Sequence, residues 1–267
     1  MKFLGFFFVV SLVILIAAGC LASQQLTICG TGDSQELLRI LAKNYSADHP
    51  GVIIDIPDSI GSSGGIRKTA EDKCDIGRTA RPLRKKEKVY GLTYRLFAYT
   101  PVVFVTNHSV RLDNITTEQV IALFKGEINN WRQLGTDDAI LYIAVRYHGD
   151  SSRTVLEQNI PALNDFIDWA GTVTYSTPET VDAVVKHDHT IAFLPLAMAV
   201  QNDLNILRYN GLQPSPENIR SETYPLIVPL GLVWKGSLKG LARDFVDYIF
   251  SDQGKRIIAD NGAVPGN

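Results

Sequence analysis

Four short stretches of this chain gather hydroxyls, arginines and glycines. They are Gly30-Thr-Gly-Asp-Ser34, Pro57-Asp-Ser-Ile-Gly-Ser-Ser-Gly-Gly-Ile66, Asp75-Ile-Gly-Arg-Thr-Ala-Arg-Pro82 and Arg146-Tyr-His-Gly-Asp-Ser-Ser-Arg153. These residue types suit the capture of an anion. A glycine-rich turn that opens a helix exposes backbone N–H groups with no helical partner, and the helix dipole favours negative charge there. Ser34, Ser62, Ser63, Ser151 and Ser152 add hydroxyl donors, and Arg78, Arg146 and Arg153 add charge, with Thr79 beside the first of them. Charge-assisted hydrogen bonds contribute roughly 1.5–3 kcal/mol each, so several together offset the desolvation of a buried oxyanion. Each residue also has a plainer use. Gly/Ser turns are common connectors, Ser151 and Ser152 can cap a helix, Arg146 can pair with Asp150, and Arg78 and Arg81 can form a solvated surface pair.

The elements that must position these stretches follow from periodicity. Leu26–Cys29, Val52–Ile56 and Asp75–Gly77 read as strands, with helices expected over Gln35–Tyr45 and Ile66–Lys73. The Gly/Ser cluster between them reads as a turn. That β-α-β-α-β order predicts a parallel sheet with covering helices, and ligands bind such sheets beyond the carboxyl ends of the strands. The loops at 30–34, 58–65 and 78–82 all fall there. Further along, Ile140–Val145 reads as a strand, Thr154–Asn159 as the start of a helix, and Ile115–Phe124 as an amphipathic helix capped near Thr116 or Thr117. The long apolar runs Phe97–Thr106 and Tyr224–Trp234 are long enough to cross between two lobes. The fold class is therefore α/β, each of two lobes a mainly parallel sheet flanked by helices, joined by two hinge strands. Lobe I takes 26–103 and 227–267, and lobe II takes 104–226. The cleft between them would hold the ligand.

Composition narrows the function. The formal net charge of -2 offers no basic footprint for nucleic acid. Cys20, Cys29 and Cys74 have no C-x-x-C spacing, and neither H-E-x-x-H nor the G-x-x-x-x-G-K-[ST] phosphate loop of nucleotide-binding proteins occurs, so no metal or other cofactor is implied. Met1-Lys2 precedes an apolar run from Phe3 to Ala18 and then Gly19-Cys20, which describes a secretory signal over residues 1–22. Ala17-Ala-Gly-Cys20 resembles a bacterial lipobox with Cys20 as the lipid-attachment site, although Ala17 stands where leucine is usual. Cleavage after Ala22 without lipid, and an uncleaved anchor, are the competing readings. The mature chain is expected outside the cytoplasm, in the periplasm or on the extracellular face of the membrane. Cys29 and Cys74 can pair there, but two unpaired buried thiols are the simpler expectation.

Taken in order, these stretches resemble the periplasmic phosphate-binding proteins of ABC transporters, which have the type II substrate-binding fold. The resemblance rests on the two glycine turns, Asp75-Ile-Gly77, the F-x-G-x-I-x-x-W run of Phe124 to Trp131, the Arg146–Ser152 stretch, and the closing Ser251-Asp-Gln-Gly254 and Gly262-Ala-Val-Pro265. It covers nearly all of the mature chain. It implies that Ser34, Ser62 and Ser152 match the family's ligand hydroxyls and Arg146 its ligand arginine. It also implies phosphate or a similar anion as ligand, a permease of the inner membrane as partner, and a monomer.

The sequence departs from that pattern in one telling place. The family's aspartate, which accepts a hydrogen bond from protonated phosphate and so rejects sulfate, corresponds to Ala80. Two acids appear instead among the same set of loops, Asp33 in the first turn and Asp150 in the last. Like charges 5 Å apart at an effective dielectric of 20 repel by about 3 kcal/mol, so an acid facing a dianion must accept a proton or be neutralised. The expectation is that Asp33 or Asp150 supplies the missing acceptor while Arg78 or Arg153 balances charge. Another oxyanion or a small carboxylate is the rival ligand, and a sensor of the same fold the rival role. Gly32-Asp-Ser34 also resembles the nucleophile turn of Gly-Asp-Ser hydrolases. None of the five histidines follows an Asp by three residues, which that chemistry needs, so no enzyme is expected.

Overall fold

The computed structural model describes residues 24–266. The expected signal segment and Cys20 lie outside the described residues. β1 (Gln24–Gly30) leads into α1 (Gln35–Asp48), which buries Leu37, Leu38, Leu41 and Tyr45 at helical spacing. β2 (Val52–Asp55), α2 (Gly61–Ala70) and β3 (Ile76–Thr79) complete the first unit. β4 (Leu92–Thr106) is the long crossing strand, followed by β5 (Asn114–Ile115) and α3 (Thr117–Phe124). Thr116 caps α3 by accepting from Gln119 N, and Trp131 is buried with its indole N–H donated to His189 O. The second unit is β6 (Tyr142–Arg146), α4 (Ser151–Asn159), β7 (Thr172–Thr174), α5 (Thr177–Lys186) and β8 (Thr190–Pro195). Then come α6 (Leu196–Gln201), β9 (Asn205–Ile206), β10 (Arg208–Tyr209) and α7 (Pro216–Arg220). The chain returns through β11 (Ile227–Lys235) and ends with α8 (Gly240–Phe250), α9 (Asp252–Asp260) and β12 (Val264–Pro265).

The main sheet runs β2-β1-β3-β11-β4-β8-β6-β7. Its two ends repeat one plan. β2-β1-β3 are parallel, and so are β7-β6-β8. In each, the first strand of the unit lies in the middle, so the connections leave it on opposite sides and open a crevice at its carboxyl end. The crossing strands between the ends are antiparallel to their neighbours. β4 pairs with β11 as far as Pro101, opposite Ile227, and with β8 from Val102 onward, opposite Pro195. Pro229 of β11 faces Tyr99, and the register slips between Leu230 and Gly231.

The structure corrects several expected boundaries. Gly61–Gly65 are not a turn but the first residues of α2. Gly65 allows that helix to sit against β1, since a Cβ there would lie 2.6 Å from Gly30 Cα. α4 starts at Ser151, three residues early, because Asp150 caps it. β3 extends through Arg78 and Thr79, which are strand residues and not part of a loop. β7 and α5 were not anticipated. Cys29 and Cys74 are not free thiols but a disulfide, with Cα atoms 6.2 Å apart.

Candidate functional site

The crevices of the two parallel units face each other across a cavity of about 70 Å3. Pockets for drug-sized ligands run to roughly 300–1,000 Å3, so this one suits a single small ion. Its walls are the starts of helices. Thr31 and Gly32 precede α1, Ser59 and Gly61–Ser63 open α2, Gly149–Ser151 open α4, and Tyr175 precedes α5. The positive dipole ends of four helices thus surround one small space, although several first-turn amides, those of Ser152 and Arg153 among them, are already taken by caps. Arg81, Arg146 and Tyr147 complete the lining.

Arg146 ends β6 and is 4 % exposed. Its Nη2 donates to Asp150 Oδ2 at 2.7 Å, and its Nη1 to Thr180 Oγ1 at 3.1 Å. Asp150 Oδ1 accepts from Ser152 N and Arg153 N, capping α4. Asp150 therefore lines the cavity while already serving Arg146 and the helix. Asp33 lies buried behind the lining. Thr31 Oγ1 donates to its Oδ2 at 3.0 Å, and Ser152 and Thr177 donate to its Oδ1 from the opposite lobe at 3.5 and 3.4 Å. Burial, and then the nearby charge of Asp150, push the Asp33 carboxyl up to about 6, against the opposing pull of Arg146.

The hydroxyls divide into two groups. Ser62 and Ser151 line the cavity from opposite lobes, with their oxygens 3.3 Å apart. Ser62 Oγ also accepts from Ala80 N at 3.0 Å, and Ser63 Oγ accepts from Arg81 Nη2 at 2.9 Å. Ser34 and Ser152 are buried but lie behind the lining. Ser34 Oγ is buried without a hydrogen-bond partner among the described residues.

The expected charge balance is different in the structure. Arg78, fully buried, donates to the carbonyls of Thr31 and Pro57 at 2.7 Å each, and to Gln35 Oε1 at 3.1 Å. Burial lowers it to about 10. It braces the loops around the cavity from behind and does not line it. Thr79 donates to Arg81 O and is likewise outside the lining. Arg153 pairs with Glu157 at 2.8 Å, donates to Ile167 O and lies over the Trp169 ring, so it turns away from Asp150's carboxylate. The cation that meets Asp150 is Arg146.

Sequence reasoning missed Thr31, Ser59, Tyr147, Tyr175 and Thr177. Tyr147 and Tyr175 stack with ring centroids 6.0 Å apart. The signal of Tyr175 was weak, because β7 is only three residues long and its following loop carries no glycine, whereas Tyr147 stood within the Arg146–Arg153 stretch but was not placed among the ligand residues. Arg81 was visible in the sequence but was not placed among the ligand residues.

Such a cleft between two parallel units joined by crossing strands defines a two-lobed solute-binding protein. The chain belongs to the PBP superfamily, whose domain it matches over residues 17–253. It is 28% identical over 215 residues to the phosphate-binding protein PstS of Borreliella burgdorferi, covering 77% of each chain. It is 25% identical over 248 residues to PstS of Bacillus subtilis, covering 91% of this chain and 81% of the other. Among solved structures it is similar to a candidate phosphate ABC transporter substrate-binding protein from Clostridium perfringens with bound phosphate. There the TM-score is 0.81 at 23% identity, over 91% of this chain and 100% of that one. The structure of PstS from Borrelia burgdorferi gives a TM-score of 0.53 at 26% identity, over 91% and 98%.

Proposed function

We propose that the protein captures phosphate, or a closely related oxyanion, in its interlobe cleft and delivers it to an ABC permease. The observation that carries this reading is the convergence of four helix N-termini and Arg146 on a cavity of about 70 Å3. The arrangement offers an anion many fixed donors and little room for anything larger. The phosphate-binding relatives support phosphate as the anion. Residues 26–103 with 227–267 act as one lobe and 104–226 as the other. The ligand favours the closed arrangement by touching both lobes at once. Ligand contacts are assigned to Ser62, Ser63, Arg146, Asp150 and Ser151 directly, with Asp33, Ser34, Arg78, Thr79, Ser152 and Arg153 supporting them.

The protein works outside the cytoplasm as a monomer, free or held by lipid on Cys20. We infer a carrier and not an enzyme, a reading supported by the match to the PBP superfamily domain. Calorimetric titration of the mature protein, freed of ligand by unfolding and refolding, tests the function. Micromolar or tighter phosphate binding at one site per chain is expected. No heat with phosphate would overturn the reading.

A further inference from the structure

A basic segment joins β3 to β4 on the outside of lobe I. Arg84 leads into a 3-10 helix, Lys85–Tyr90. Arg84, Lys85, Lys86 and Lys88 are exposed, and none of their side chains pairs with an acid among the described residues. The one acid of the segment turns inward. Glu87 is 5 % exposed and holds Arg81 by two contacts of 2.7 Å, and it also accepts from Arg84 N. Residues three apart share a face of a 3-10 helix, so Lys85 with Lys88 and Lys86 with Val89 fall on the two faces that Glu87 does not occupy. Leu83 packs on a small core of Ile66, Leu92 and Val233, and Gly91 ends the helix at a φ of +61°. The lysines are therefore presented on an anchored element. Beside them stands an apolar tip, with Val89 82 % and Tyr90 43 % exposed.

α2 shares that small core through Ile66 and Ala70, and its last turn adds Arg67 and Lys68. Both are exposed and unpaired among the described residues, and both suit the negative end of the helix dipole. The acids that follow them, Glu71 and Asp72, are held by Lys73 at 2.7 Å and Lys235 at 2.6 Å. A chain of net charge -2 thus carries a local excess of positive charge on this face.

The register places the apolar tip. β1, β3 and β4 all run toward the cleft, since β11 is antiparallel to both β3 and β4. Cys29, Gly77, Val233 and Tyr94 share one rung, which puts Leu92 level with Thr27. Gln24 is three residues further from the cleft, about 10 Å along the strands. Tyr90 and Gly91, just before Leu92, therefore lie at the end of lobe I where the chain enters β1, opposite the cleft. Cys20 is four positions before Gln24, a reach of at most about 14 Å.

We propose that this face of lobe I docks on an anionic lipid bilayer. Arg84, Lys85, Lys86 and Lys88 meet the headgroup phosphates, while Val89 and Tyr90 enter the interfacial layer. A bilayer supplies both halves of that pattern, negative charge outside and an apolar layer beneath it, whereas an acidic protein surface supplies only the charge. The base of lobe I is then held at the membrane with the cleft at the far end of the lobe. Lipid on Cys20 is not required, and the test leaves it out.

The test is co-sedimentation of the unlipidated mature chain with two kinds of vesicle, one of phosphatidylcholine alone and one half phosphatidylglycerol. Binding to the anionic vesicles only is expected. Salt at about 1 M, where the screening length falls to about 3 Å, should release most of it. Each cation near such a surface is worth about fivefold in affinity, so Lys85→Ala/Lys86→Ala/Lys88→Ala should bind about 100-fold more weakly. Its phosphate titration should match wild type, since none of the three lines the cleft cavity. Arg111→Ala/Lys125→Ala/Arg132→Ala, in lobe II, loses the same charge and should bind vesicles like wild type. Val89→Trp should show a blue shift in emission on anionic vesicles beyond any shift of wild type. Equal binding to both vesicles, equal loss in the two triple variants, or no added shift in Val89→Trp would overturn the proposal. So would binding to neither vesicle, which would leave an acidic protein as the partner of this face. The phosphate titration is read separately, so none of these results touches the proposed function.

Discussion

Asp33 Oδ1 lies 3.4 Å from Thr177 Oγ1, a residue 144 positions away on the other side of the cleft. Ser152 Oγ reaches the same oxygen at 3.5 Å. Both contacts are long, so they are weak individually. Their value is positional. One carboxylate of the first loop sits against the first turns of α4 and α5, and it can do so only when the lobes are together.

That placement gives a pH dependence with a definite sign. The Asp33 carboxyl is raised from 3.8 to about 6, so the folded state holds its proton more tightly than the unfolded chain. The contribution to stability is full below about pH 4 and is lost as pH rises to about 6. Asp33→Asn should therefore be more stable than wild type at pH 8, on the order of 2–3 kcal/mol, with the gap closing toward pH 4. Urea unfolding at pH 4, 6 and 8 measures it; a gap that widens on acidification would contradict the assignment.

Arg146 lines the cavity with Arg81 and neutralises Asp150. Arg146→Met should abolish measurable phosphate binding, because the ligand then meets an unpaired carboxylate. It should also cost roughly 3–5 kcal/mol of stability, the usual penalty for breaking one side of a buried ion pair. Arg146→Met/Asp150→Asn should recover most of the stability but not the binding. Denaturant melts and calorimetry of the two variants separate these effects.

Gly30 makes the first loop possible. Its φ is +149°, and a Cβ would fall 1.9 Å from Arg78 O. Gly30→Ala must push β1 from β3 just where Thr31 enters the cavity. A loss of at least about 2 kcal/mol in stability is expected, with weaker phosphate binding. A variant of wild-type stability would show that the strands can separate cheaply.

The Cys29–Cys74 bridge closes a long loop, its ends 45 residues apart, around α1, β2 and α2. By the chain-entropy account, its removal costs about 4 kcal/mol. Cys29→Ala/Cys74→Ala should lower the melting temperature clearly while leaving phosphate affinity nearly unchanged, since neither sulfur reaches the cavity. Thermal melts with and without reductant check this independently of mutation.

Much of this architecture was legible because the elements obey local rules. Leu37, Leu38 and Leu41 announce α1, the apolar runs announce β4 and β11, and glycine turns mark the carboxyl ends of β1 and β6. Three of the cavity's walls came from such turns. Tyr175 and Thr177 escaped notice because β7 is a short edge strand whose register is set by β6, which no local pattern records. Arg78 was misplaced for a related reason. Burial of its whole guanidinium depends on carbonyls of Thr31 and Pro57, which tertiary contact alone brings to it. Ser62 Oγ accepts from Ala80 N and Ser63 Oγ from Arg81, and no spacing rule encodes those pairings.

The prolines at the crossing have a mechanical meaning. Pro101 is the last β4 residue paired with β11 before Val102 pairs with β8, and Pro229 lies next to the register slip at Leu230/Gly231. A bulge bends its strand and interrupts the ladder locally. The hinge proposed above would then fall on one short line across two strands. Each half of the anion cradle would travel as a unit, and the spacing between donors within a half would survive opening, so that affinity would depend on how two prefabricated surfaces meet.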